Sequence, residues 1–123
     1  MTYPLSKLTR ALLGLHRYES NLPVAWRPSV DIYQGDDLWL IKVELAGVKV
    51  EDIRLQVKGR QLVLQGIRRD QKVSRNSIFH AMEIAYNRFE RVFDFASSLE
   101  QASIHTEYLD GMLHIYLHMG GNR

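Results

Sequence analysis

Ser103–His118 reads SIHTEYLDGMLHIYLH, and the rest of the chain can be placed from it. Asp110-Gly111 lies between two runs that alternate apolar and polar residues, and Asp-Gly suits the type I′ turn because both central residues need positive φ. A two-residue turn fixes the register. With Leu109 facing Met112, Tyr108 lies opposite Leu113, Thr106 opposite Ile115 and Ile104 opposite Leu117, while Glu107 meets His114 and His105 meets Tyr116 on the other face. The apolar set is coherent only in this register, so the stretch is a half-buried antiparallel hairpin.

Upstream, short runs separated by turn signals repeat the strand period, as expected of an all-β sandwich. SVDIY is a first strand, closed by a turn at Gly35-Asp36-Asp37. LWLIKVEL alternates strictly, with Trp39, Ile41, Val43 and Leu45 on one face and Lys42 and Glu44 on the other. AGVKVED is a loop. IRLQV alternates again, Ile53, Leu55 and Val57 pointing one way and Arg54 and Gln56 towards water. KGRQ turns tightly into LVLQGI, whose continuous apolar run fits a strand covered on both faces. A long charged excursion follows, GIRRDQKVSRNSIFHAME, after which FHAMEIAYNRFERVFDF returns to a β-rich composition, with Phe89, Arg91, Phe93 and Phe95 on one face.

A chain of 123 residues has room for one core, and its hydrophobic fraction of 46% and charged fraction of 24% are ordinary for a soluble globule. It has no cysteine, which removes disulfides and thiolate-bound zinc and suits a reducing, cytoplasmic setting. A net charge of +2 is too small to imply a polyanion partner. Arg68, Arg69, Lys72 and Arg75 do form a basic cluster, but no aromatic residue interleaves it and Asp70 interrupts it, so no nucleic-acid role is expected.

Catalytic and cofactor chemistry find no foothold. There is no Gly-rich phosphate loop and no G-x-S-x-G turn. His114 and His118, four apart in a strand, are separated by roughly 13 Å, too far to share a metal ion. Asp36-Asp37 and Glu51-Asp52 occupy turn and strand-entry positions, and consecutive strand side chains diverge. No metal or other cofactor is expected, and no enzyme. At the N-terminus, Thr2 to Tyr18 has no acidic residue, and Leu5, Leu8, Leu12 and Leu15 recur at helical spacing opposite Lys7, Arg10 and Arg17. This predicts a short basic amphipathic helix that contacts a client, a partner or its own domain.

Taken in order, RPSVDIYQGDDLWLIKVELAGVKVEDIRLQVKGRQLVLQG, FERVFDF and ASIHTEYLDGMLHIYL closely resemble the α-crystallin domain of the small heat shock proteins, over roughly Trp26 to His118. The resemblance implies an immunoglobulin-like sandwich of two antiparallel sheets. It divides the chain into an N-terminal arm (1–25), an α-crystallin domain (26–118) and a short flexible tail (119–123). In bacterial and plant members the segment between the fifth and seventh strands carries an extra strand that pairs with the other subunit. Arg68 to Ser77 would be that swapped arm, with Arg69, Lys72, Val73, Arg75, Glu83 and Arg91 at the dimer contact and Arg91 in a salt bridge.

The implied activity is that of an ATP-independent holdase in the stress response. It would bind non-native client proteins in a groove lined by Ile53, Leu55, Val57, Ile104, Thr106 and Tyr108, and would associate with itself as a homodimer and with other small heat shock proteins. Three departures from the family pattern stand out: Ala46 and Ala96 replace the usual prolines, Ile84 stands where an arginine is usual, and LHMGGNR carries no I-x-I/V tail. The expectation is therefore dimers or small oligomers. Two other readings compete: a co-chaperone adaptor of the p23 or CS-domain kind, and a dimer held on anionic lipid at a membrane surface by the N-terminal helix.

Overall fold

The computed structural model describes residues 2–4, 23–70 and 76–120. Among the described residues eight strands follow one another: β1 (Thr2–Pro4), β2 (Val30–Gln34), β3 (Leu38–Glu44), β4 (Ile53–Lys58), β5 (Gln61–Arg68), β6 (Asn87–Asp94), β7 (Ser103–Leu109) and β8 (Met112–His118). A 3-10 turn, Val50–Asp52, leads into β4. All strand pairs are antiparallel. They form a five-stranded sheet in the order β1-β7-β8-β3-β2 and a three-stranded sheet in the order β4-β5-β6.

The β7–β8 hairpin has the register its sequence dictates, Leu109 to Met112 through Ile104 to Leu117. Asp110 and Gly111 have φ of 55° and 77°, as a type I′ turn requires. Its inner side chains, with Ile41 and Val43 of β3, face Ile53, Leu55, Leu62, Leu64, Phe89 and Phe93 across the core. β5 is the central strand of its sheet, and Leu62, Val63, Leu64 and Ile67 are all buried, as its unbroken apolar run predicts.

Four expectations are corrected. Arg54 does not point into water: it is 5% exposed on the outer face of β4, because alternation assigns a face and says nothing of what covers it. Arg68 is the last residue of β5, paired with Asn87, so the connection to β6 begins one residue later than the arm boundary read from charge. Its far side does not resume as a strand at Phe79. Residues 79–86 pair with no strand and β6 starts at Asn87, because apolar composition cannot make a strand without a neighbouring edge. Met119 does not belong to a flexible tail: its N–H donates to the Asp37 carbonyl at 2.9 Å and its side chain packs on the core.

The N-terminal reading is altered at its start. Thr2–Pro4 form a strand against His105, Thr106 and Glu107 of β7, since Thr and Tyr favour strands and β7 offers an open edge. Leu5, Leu8, Leu12 and Leu15 lie outside the described residues.

A candidate binding seam and assembly arm

The two sheets stack so that Ile32 of β2 and Arg91–Phe95 of β6 and its exit line one open cleft of about 380 Å³. β2 thus lies over β6, and at the opposite side β7 lies over β4. Each of these strands except β7 borders its sheet, and β7's outer edge is taken by Thr2–Pro4. The seam between β4 and β7 is where the six predicted groove residues fall, and they divide. Ile53, Leu55 and Thr106 are at most 1% exposed and belong to the interior. Val57, Ile104 and Tyr108 are half-buried, resting on the core with one side in solvent. The accessible apolar strip is therefore narrower than the sequence suggests, because period 2 identifies the inward face without separating its rim from its floor.

Tyr108 also ties the seam to the loop above it. Its hydroxyl oxygen lies 2.7 Å from the Leu45 carbonyl and 2.5 Å from that of Val48, so its single hydrogen is shared between two acceptors. Burial raises its pKa above the ordinary tyrosine value, against the opposing charge of Arg68. The loop itself is a type II turn: Val48 N–H donates to Leu45 O at 3.0 Å, with Gly47 at φ 79°.

At the root of the β5–β6 connection, two arginines are engaged within the chain. Arg68 stacks 4.1 Å over the Trp26 ring and donates to Ala85 O from Nε (2.9 Å) and Nη2 (2.5 Å), and to Ala46 O from Nη1 (3.1 Å). Arg69 clamps the buried Asp52 in a two-pronged pair, Nε to Oδ2 at 3.1 Å and Nη2 to Oδ1 at 3.0 Å. Sequence reading assigns Arg69 only to the dimer contact, since nothing in its local pattern points to Asp52 seventeen residues away. Lys72, Val73 and Arg75 lie outside the described residues.

Beyond this root every residue from 76 to 85 is exposed, Glu83 among them. Ile78, Phe79, Met82 and Ile84 are each at least 62% exposed. Sequence reading does not single out these four as a surface. Their signal is an apolar cluster, SIFHAMEIAY, that no strand or helix period organises.

Arg91 faces the cleft beneath β2. Nη1 donates to Pro28 O at 2.8 Å, and among the described residues of this one chain it makes no ion pair. Its buried Nε has no hydrogen-bond partner among the described residues, and burial, followed by the nearby Arg27 charge, lowers its pKa. β2 ends the five-stranded sheet, its outer edge open among the described residues, and Ile32 and Tyr33 are 48% and 44% exposed.

Among the described residues no group of three His, Cys, Asp or Glu side chains is placed to hold a metal ion, and no helix is long and apolar enough to cross a membrane. The arrangement offers apolar rims and open strand edges, which are features of peptide recognition.

The Hsp20/alpha crystallin family matches residues 31–120. Small heat shock protein C2 of Rickettsia felis is 26% identical over 98 residues, covering 80% of this chain and 64% of that protein. The 18 kDa heat shock protein of Clostridium acetobutylicum is 31% identical over 90 residues, covering 72% of this chain and 59% of that protein. In both cases the match spans less than two-thirds of the relative's length. In fold, the chain is similar to heat shock protein 16.0 of Schizosaccharomyces pombe, with a TM-score of 0.67 at 24% identity over 75% of this chain and 86% of that one.

Proposed function

The chain belongs to the Hsp20/alpha crystallin family, and from that premise we propose that it is an ATP-independent holdase, a chaperone that binds partly unfolded proteins and delays their aggregation. The observation that carries this reading is the half-buried rim of Val57, Ile104 and Tyr108 along the β4–β7 seam. A non-native chain presents apolar side chains and unpaired strand edges, and a rim of this kind beside a strand edge can take up both. Binding lowers the free concentration of the aggregating species by mass action, which needs no nucleotide and no covalent step.

The working unit in this proposal is a homodimer. The apolar connection around Ile78, Phe79, Met82 and Ile84 reaches to the open β2 edge of a second copy, where Ile32 and Tyr33 stand exposed. The cleft beside that edge holds Arg91 with a buried, unsatisfied Nε, a cation suited to a carboxylate such as Glu83 carried in by the partner's arm.

Heating an aggregation-prone client without nucleotide and following light scattering tests the activity. Suppression is expected near one subunit per client, and undiminished scattering at that ratio refutes the holdase.

A further inference from the structure

The outer face of the three-stranded sheet carries Arg54 and Gln56 from β4, Val63, Gln65 and Ile67 from β5, and Arg88, Glu90 and Val92 from β6, alternating with the core residues. Arg54, Val63 and Ile67 are nevertheless each 5% exposed. Neither Val63 nor Ile67 belongs to the cluster between the sheets. Within the face itself, Gln65 donates to Glu90 at 2.6 Å and Arg88 lies 3.8 Å from the same carboxylate. The five-stranded sheet packs on the other side, and the connection from 76 to 85 is exposed throughout. The outer face of the five-stranded sheet differs, with Tyr33 and His105 exposed and Lys42, His114 and Tyr116 half-exposed.

The ends of residues 5–22 lie on opposite borders of the covered face. Pro4 pairs with His105 at the β7 edge, on the β4 side of the sandwich. Trp26 bridges Phe89, and Ala25 N–H donates to Arg88 O at 2.8 Å, on β6. From β7 to β4 is one sheet spacing, ~10 Å, and from β4 to β6 two strand spacings, another ~10 Å. Eighteen residues reach ~27 Å even wound into a helix. The way round the five-stranded sheet, four spacings or ~19 Å, is also within reach, so burial decides between the two.

We propose that residues 5–22 dock across the outer face of the three-stranded sheet of the same chain, with their leucines on Val63 and Ile67. The composition fits: Leu5, Leu8, Leu12 and Leu15 supply apolar surface, and Lys7, Arg10 and Arg17 flank it. Gln56, whose buried Oε1 has no hydrogen-bond partner among the described residues, lies on the same face as an acceptor for a donor from the segment.

Because the chain has no cysteine, engineered pairs give an unambiguous test. Leu8→Cys, Leu12→Cys and Leu15→Cys are each combined with Val63→Cys or Ile67→Cys in the full chain, oxidised, and run without reductant. At least one pair should form a disulfide at monomer mobility, lost when oxidation is done in urea. Covalent dimers in place of monomers would assign the face to a second copy and overturn the proposal. No cross-link in any pair, with the far-UV spectrum of a folded sandwich, would also overturn it. In the chain without cysteines, Val63→Asp should speed hydrogen exchange in 5–22 at least tenfold while the β7–β8 hairpin stays slow; unchanged exchange in 5–22 contradicts the docking.

Discussion

In the β7–β8 hairpin, Thr106, Leu113, Ile115 and Leu117 are buried by neighbours within the chain, whereas in the β5–β6 connection Ile78, Phe79, Met82 and Ile84 stand in solvent. The two stretches are of similar length. In the hairpin a two-residue turn sets the register, and every cross-strand partner is a near neighbour in sequence. In the connection the root is fastened by Arg68 to Ala46 and Ala85, and by Arg69 to Asp52, while the apolar side chains beyond it are left uncovered. One region completes itself, and the other leaves its apolar side chains to the second subunit proposed above. Substitutions in the self-completed parts should therefore cost folding stability, and substitutions in the connection should cost assembly.

The largest expected loss comes from β5, within the self-completed sandwich. A Cβ at Gly66 would lie 2.3 Å from Asp52 O and 2.4 Å from the Phe89 ring, so neither backbone nor core can yield easily. Gly66→Val should cost about 3 kcal/mol or more by overpacking, read as a lower urea midpoint. A midpoint within error of the parent protein would show that the close approach is dispensable.

Next is the hairpin's tie to the seam. Tyr108→Phe removes the hydroxyl shared by Leu45 O and Val48 O and should cost about 1–2 kcal/mol. Because the folded-state pKa of Tyr108 is raised above its usual value of 10.0, the unfolded chain ionises first. The contribution is complete below that value and is lost as pH rises through the folded one. The stability gap between the parent protein and the Tyr108→Phe variant should close in alkaline buffer, and a gap that widens there reverses the argument.

The smallest effect on stability is expected where the apolar surface is most open. Phe79→Ser with Ile84→Ser should change the monomer's unfolding free energy by no more than about 0.5 kcal/mol, while shifting sedimentation from dimer to monomer. A dimer that survives both changes removes the connection from the interface.

Most of the sandwich was legible because strand period, Asp-Gly turn chemistry and apolar coherence all act over a few residues. β3, β4, β5 and the final hairpin follow from these alone. What stayed hidden depends on contacts distant in sequence. The Arg69–Asp52 clamp joins residues on either side of two strands. Arg54 alternates like any solvent-facing residue, and only its surroundings make it buried. In the groove set, Thr106 and Ile104 belong to one strand, yet one is floor and the other rim, a distinction that depends on how the two sheets stack. Ile78, Phe79, Met82 and Ile84 follow no strand or helix period, so nothing local marks them as one exposed surface.

Trp26 packs against Phe89 with ring centres 5.2 Å apart, accepts the Arg68 guanidinium on its face and donates from its indole nitrogen to Asn87 O. That indole is an optical gauge placed at the hinge of the connection. Lifting Arg68 away would change the field across the ring and shift its emission, while Trp39, held edge-on to Phe95 in the β2–β6 cleft, contributes a second signal. The chain's own light can thus report, without a dye, whether the connection is seated or released.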